Sequence, residues 1–301
     1  MTHTPEQLRR GYFYALAVII IWSGFVIVSR LGGKSAFTPY DMIALRYTAA
    51  GIGILPLWMR HRTALFERRK ILLTLLGALG FTLFAFNGFR HAPANHAAIL
   101  LQGFLPFTVG IMAYFMAGER PSRQRLLGLG FIALGVASMA AESFASRDPT
   151  LLGDSLLIGA SLCWAAYTVL LRRWELPPMD SAIAVTLLSG ILYLPVYALF
   201  LPKNLGAGSL PEYLVFAIYQ GIIVAIIQMI CYTRAVALLG ATRLAMLTSC
   251  VPVLASLAAV PLLGEPLTPL VCLGLVLVVV GAWVGNRRVR LSPSLGTHHD
   301  R

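Results

Sequence analysis

A chain of 301 residues that is 58% apolar and only 12% charged, with a mean hydropathy of +0.77, does not have the makeup of a soluble domain. Such domains carry about a quarter charged residues, so most of this surface must face lipid. The formal net charge of +12 would suit a nucleic-acid binder. The basic residues, however, sit in short loops between apolar runs, where membrane topology accounts for them, and no nucleic-acid partner is expected.

Ten apolar runs are each long enough, at about 20 residues, to cross a bilayer as a helix. They are predicted at 11–31, 39–60, 71–90, 93–117, 123–141, 152–173, 180–201, 211–238, 242–263 and 267–286. The first is too long for the apolar core of a signal peptide and lacks a convincing cleavage site, so it counts as a span. Connections are a few residues long, which leaves no room for an extramembrane catalytic domain. No Gly-rich phosphate loop ending in Lys-Ser/Thr occurs, which excludes ATP-driven pumping by this chain alone. Cys163, Cys231, Cys250 and Cys272 all fall in apolar runs, and no Cys/His spacing suits a metal. Neither metal nor cofactor is expected.

The second half of the chain repeats the first. Pro106 and Pro252, Gly118 and Gly264, Glu119 and Glu265, Gly128 and Gly274, and Gly135 and Gly281 are each 146 residues apart. Upstream the offset becomes 142, pairing Gly11 with Gly153, Trp22 with Trp164 and Arg30 with Arg172. Five spans per copy is an odd number, so the second copy must enter the membrane with opposite polarity. The predicted fold is therefore an all-α polytopic membrane protein, ten transmembrane helices as two inverted five-helix repeats (11–141 and 152–286) around a central cavity. Residues 1–10 and 287–301 form tails. Repeats of this kind place a binding site near the midplane and allow alternating access. With the N-terminus inside, 17 Lys and Arg fall on the inner side and only five (Arg30, Lys34, Arg90, Arg147, Lys203) on the other. That bias puts both termini in the cytoplasm.

Individual residues divide into scaffold and candidate chemistry. Trp58, Trp174 and Trp283 fall near cytoplasmic span ends, where an interfacial belt needs no function. Trp22 and Trp164 fall mid-span and are repeat mates. They read either as helix packing or, preferred here, as paired walls of a substrate cavity. Phe25 and Ser29 share the face of Trp22, and Tyr167 that of Trp164, by helical spacing. Gln228 and Tyr232 lie one turn apart in span 8 and should point inward, because facing lipid is costly for them. Span 3 offers Phe86 and Asn87, with Arg90 snorkelling to the outer surface. Span 4 offers His96 and Gln102, while its Tyr114 reads as packing.

Arg46, two turns inside span 2, reads either as the holder of a substrate carboxylate or as a side chain reaching the interface or a nearby carbonyl. Arg234 reads as an anchor. Pro106 and Pro252, in the interiors of spans 4 and 9, should kink them as hinges or as static bends. Gly118-Glu119 and Gly264-Glu265 close those spans, with Ser122 and Thr268 capping the helices that follow. Gly128, Gly135, Gly274 and Gly281 should pack helices closely. All twelve acids lie in loops or at span ends, so His96 alone could serve a proton relay at depth. Uniport or exchange therefore carries at least equal weight with proton coupling.

The segment from Gly153-Asp154 through Trp164-Ala165-Ala166-Tyr167 to Leu171-Arg172-Arg173 resembles the opening of an EamA half-domain. Pro252, Gly264-Glu265, Gly274 and Gly281 continue the resemblance. The first half carries the same marks at Trp22, Pro106, Gly118-Glu119, Gly128 and Gly135, and Arg46 fits the pattern. The resemblance covers roughly residues 11–290 and implies the ten-helix EamA branch of the drug/metabolite transporter superfamily. Within it, the chain is similar to bacterial inner-membrane exporters of amino acids and related metabolites. The partners so implied are a small-molecule substrate and the lipid bilayer, with the oligomeric state open. Aromatic faces on spans 1 and 6, with polar groups from spans 3, 4 and 8, would suit a zwitterion with an apolar side chain. Carriage of a drug, a nucleotide sugar or another metabolite stays open. A membrane-embedded enzyme would want a deep carboxylate cluster, and an ion channel a symmetric oligomeric pore.

Overall fold

The computed structural model describes residues 4–32, 35–92, 98–118, 121–144, 151–263 and 269–286. Among the described residues there is no strand, and helix follows helix: α1 (Pro5–Gly32), α2 (Pro39–His61), α3 (Arg68–His91), α4 (Leu105–Ala117), α5 (Arg123–Phe144), α6 (Leu151–Arg173), α7 (Pro178–Phe200), α8 (Leu210–Leu239), α9 (Ala241–Leu262) and α10 (Pro269–Asn286). Seven of them (α1, α2, α3, α6, α7, α8 and α9) are long and apolar enough to cross a membrane. Shorter apolar stretches lie at Leu100–Met116 and Cys272–Gly285. Large apolar side chains such as Phe13, Ile52 and Phe115 stand 70–77% exposed, as a lipid-facing surface requires.

Local chemistry sets the helix ends. Thr38 caps α2 in a capping box with Asp41, and Pro39 occupies the first turn, where its missing N–H costs nothing. Ser209 and Glu212 repeat the device at the start of α8. Gly118 ends α4 at φ +67°, a left-handed turn that other residues reach only with strain. Ser122 accepts from the Arg125 N–H at 3.3 Å, as a cap for α5 should. Glu119, Gly264, Glu265 and Thr268 lie outside the described residues, as does His96.

Pro106 and Pro252 are placed differently from the sequence expectation. Neither kinks a continuous helix. A π-helical segment, Ala98–Gly103, precedes Phe104, and Pro106 then sits in the first turn of α4. The α9 stretch likewise breaks between Thr248 and Val251, and Pro252 sits in the first turn of its second piece. A proline at a helix start forfeits no hydrogen bond, so each break falls just before its proline. Wide π turns also interrupt α3 at Leu75–Gly80 and α8 at Val215–Gln228. In these the backbone bonds run i to i+5, and such segments recur at functional sites.

Eight helices close a ring by neighbour contact, in the order α1, α8, α2, α7, α3, α6, α4, α9 and back to α1. The α5–α10 pair packs outside it, against the α4 and α9 segments. The packing is reciprocal between the halves. A Cβ on Gly128 would lie 2.6 Å from the Gly281 carbonyl, and one on Gly135 would lie 2.6 Å from that of Gly274. Ile132 fills the space by Gly281 as Val278, 146 residues on, fills the space by Gly135. Gly11 abuts Leu238 and Leu239 of α8, and its mate Gly153 abuts His91 and Ala92 at the end of α3.

The glycine contacts set an expectation for stability. Gly128→Ala and Gly281→Ala should each destabilise by about 1–3 kcal/mol through overpacking, read as loss of thermal stability in detergent. Gly130→Ala, whose new Cβ meets nothing within 4 Å, should be neutral or stabilising by up to about 1 kcal/mol. Equal effects at all three positions would contradict the close α5–α10 contact.

Candidate functional site

Inside the ring, α1, α3, α6 and α8 bring their aromatic residues together. Trp22 and Trp164 are each 3% exposed and meet edge to face with ring centroids 5.3 Å apart. Tyr232 packs on both indoles, at 5.4 Å from Trp22 and 4.9 Å from Trp164. Phe81 and Tyr167 complete the cluster at 4.9 and 5.1 Å from Trp164. Edge-on geometry of this kind adds about 0.5–1.5 kcal/mol per pair beyond the area buried. Gly77 makes the approach possible, because the Tyr167 ring occupies the space that a side chain there would need.

The polar atoms of this cluster are only partly served. The Tyr232 hydroxyl shares a 2.5 Å hydrogen bond with Thr168, which in turn donates to the Trp164 carbonyl or to Tyr232. The Tyr167 hydroxyl donates to the Met229 sulfur at 3.2 Å. The buried Trp164 indole N–H, Gln228 Nε2 and Gln102 Oε1 complete no hydrogen bond. Such groups cost roughly 1–3 kcal/mol each when buried unmade.

The cluster separates two cavities at opposite ends of α1. One, of about 260 Å³, is lined by Phe37, Pro39, Met42, Phe86, Phe89 and Arg90, among others. The other, of about 290 Å³, is lined by Gln7, Arg10, Tyr14, Pro178, Arg234 and Leu238, with Ala237. Pro39 and Pro178 hold equivalent places at the starts of α2 and α7, and each cavity carries an arginine from the far end of α3 or α8. Arg234 donates to the Tyr14 hydroxyl at 2.7 Å and lies over its ring.

The rim of the first cavity is locked by Asp41, a fully buried carboxylate. It accepts from the Thr38 N–H and hydroxyl at 2.8 Å, from the Asn204 N–H at 2.9 Å and from the Tyr197 hydroxyl at 2.6 Å. Asp180, at the matching place in α7, accepts from Thr63 at 3.1 Å. Each start of α2 or α7 is thereby tied to the loop that follows the other.

Other sequence expectations fall out unevenly. Phe25 is buried against Phe81, Phe86 and Phe89 at the base of the first cavity. Asn87 is only half-buried and donates to the Leu83 carbonyl of its own helix at 2.8 Å. Phe86, Phe89 and Arg90 line that cavity, while the Asn87 amide, one turn from a carbonyl, makes a local bond. Tyr114 is half-exposed and faces outward. Trp58 and Trp174 behave as anchors, through a 3.0 Å bond to the Thr63 carbonyl and the Arg69 guanidinium over the ring.

Arg46 stands apart from the aromatic cluster. It is 4% exposed, and its Nη1 donates to Gln220 Oε1 at 3.2 Å. Gln220 Nε2 passes the chain of bonds to the Ser29 hydroxyl at 3.2 Å, while Arg46 Nε makes no bond. No acidic partner faces it among the described residues. A buried charge without a counter-charge costs several kcal/mol. Sequence reading missed Gln220; its signal was a second amide deep in the most apolar span.

A closed helical ring with a lipid-facing exterior, a cavity at each end and a polar-studded aromatic plug between them defines a multi-pass membrane transporter. A model of the EamA-like transporter family matches residues 9–141 and again 151–287. The chain belongs to that family, within the drug/metabolite transporter superfamily. It is 26% identical over 299 residues to a protein of Salmonella typhimurium named "Probable amino-acid metabolite efflux pump", covering 92% of this chain and 94% of that one. It is 25% identical to the Bacillus subtilis "Uncharacterized transporter YyaM", covering 85% and 87% of the two chains. A solved crystal structure superposes with a TM-score of 0.74 at 21% identity, over 94% of this chain and 98% of that one. It speaks for the fold alone.

The site yields one direct expectation. Asp41→Asn puts a donor amide among four donors, and the leftover clash should cost about 2–3 kcal/mol. Thermal unfolding in detergent measures it, and Asp41→Asn melting like wild type would refute the locked rim.

Proposed function

We propose that the protein exports small amphipathic metabolites, above all amino acids with apolar side chains, by alternating access. The observation that carries this reading is the contact of the mated tryptophans Trp22 and Trp164 between two equivalent cavities. Residues touching their own repeat mates lie on the pseudo-two-fold axis. The glycine contacts give its direction: Gly128 meets Gly281 while Gly135 meets Gly274, so the mated helices α5 and α10 run antiparallel. Exchange of antiparallel helices needs an axis perpendicular to them, in the membrane plane. That supports two inverted five-helix repeats, 11–141 and 152–286, with all ten stretches crossing the bilayer. Small asymmetric shifts would then open one cavity toward the cluster as the other closes.

The amino-acid class follows the printed name of the Salmonella typhimurium relative and the mix of aromatic faces with spare donors and acceptors. Trp22, Phe25, Trp164, Tyr167 and Tyr232 would take the side chain; Gln102 and Gln228 would take polar groups. Among the described residues the carboxylates lie near helix ends or in loops, which favours uniport or exchange over proton coupling. The excess of basic residues on one side favours a bacterial inner-membrane setting with both termini in the cytoplasm.

Counterflow in liposomes with a labelled amino-acid panel, with and without a pH gradient, tests the reading. An apolar amino acid should accumulate without a gradient. Trp22→Ala and Trp164→Ala, at matched protein levels, should each lower uptake at least tenfold. Folded protein that moves no amino acid would sink the substrate reading, and normal transport in both variants would return the tryptophans to packing.

A further inference from the structure

We infer that Arg46 is a carboxylate-binding site whose place the Gln220 amide holds in the empty protein. The guanidinium is donor-only, so it turns Gln220 Oε1 toward itself and leaves Gln220 Nε2 for Ser29. The 3.2 Å distance is at the long end for an N–H···O bond. Charge-assisted pairs with a carboxylate close to about 2.7–2.9 Å and are frequently bidentate. The amide is therefore a weak, neutral stand-in, and Arg46 Nε is left without a partner. A carboxylate would supply both the missing charge and the missing acceptor. Asp41, the buried acid on the same helix, is fully engaged by Thr38, Tyr197 and Asn204.

Placement agrees with an arriving anion. Met42 lies one turn nearer the start of α2 on the same face as Arg46, and Met42 lines the first cavity. Side chains on a helix lean toward its N-terminus, so Arg46 leans toward the end of α2 at which that cavity lies. Gly221 lets α8 come this close: its missing Cβ would lie 3.0 Å from the Arg46 carbonyl. The Ser29–Gln220–Arg46 chain ties α1, α8 and α2 together on this half of the molecule. A carboxylate that takes Gln220's place on Arg46 frees that tie, so binding and loosening of this end are one event. The inference rests on the carrier reading only for how the anion arrives.

Titration calorimetry on the full chain in nanodiscs tests it, with L-phenylalanine, 3-phenylpropionate and phenethylamine as probes. The two carboxylates should bind at least tenfold tighter than the amine, which lacks that group. Arg46→Gln should weaken both carboxylates at least tenfold and leave phenethylamine within twofold. Gln220→Glu, which offers Arg46 a built-in carboxylate, should raise the melting temperature and block the carboxylate probes. An amine that binds as tightly as the acids overturns the inference. So does equal loss of all three ligands in Arg46→Gln, no binding of either acid, or a Gln220→Glu protein that binds 3-phenylpropionate like wild type. If 3-phenylpropionate binds through Arg46 but liposomes move no amino acid, the substrate reading falls and the site stands. If Arg46→Gln exports amino acids with unchanged preference for a carboxylate, the site falls and the carrier stands.

Discussion

The edge-on contact of Trp22 with Trp164 holds the centre of the molecule. Two large rings from α1 and α6 occupy the space between two end cavities, and Tyr232 closes over both. Under the proposed function, this close-packed aromatic surface would seal each end from the other. Aromatic pairs are rigid and have few preferred geometries, so such a seal has a small number of stable arrangements. A carrier needs that property.

The surroundings of the plug obey the accounting that a bilayer enforces. With no water to serve them, hydroxyls on these helices turn to carbonyls of their own turn, as Ser23, Thr74, Thr82 and Thr168 do. The π turn of α8 leaves its Ala225 carbonyl to accept from Thr186 across to α7. Trp164, Gln102, Gln228 and Arg46 depart from this rule at depth. Under the proposed function, unmade bonds at this depth would suit a ligand that comes and goes.

Much of the scaffold was legible in the amino-acid order. The heptad-spaced glycines announced a close helix face, although not that Gly128 would meet Gly281 and Gly135 meet Gly274. Trp22 and Trp164 stood out because an indole mid-run has no interface to serve. The prolines misled because Leu105 and Val251 beside them are as apolar as any helix interior, and a helix start looks like a kink when both flanks are greasy. For Asn87, periodicity fixes the face of the residue but not that its amide bonds its own helix. Gln220 was overlooked although it shares an apolar span with Gln228, because no local pattern set it apart from its neighbours. Its bond to Arg46 depends on how α2 and α8 meet, which no local pattern contains.

The central claim is that the two end cavities open in turn. Thiol labelling from each side tests it most directly, using Ser35→Cys in the first cavity and Leu238→Cys in the second on a chain with Cys163, Cys231, Cys250 and Cys272 replaced. Saturating cargo should speed labelling at one position and slow it at the other. Rates that rise or fall together, or that ignore cargo, would contradict alternation and point to a pore or a static scaffold.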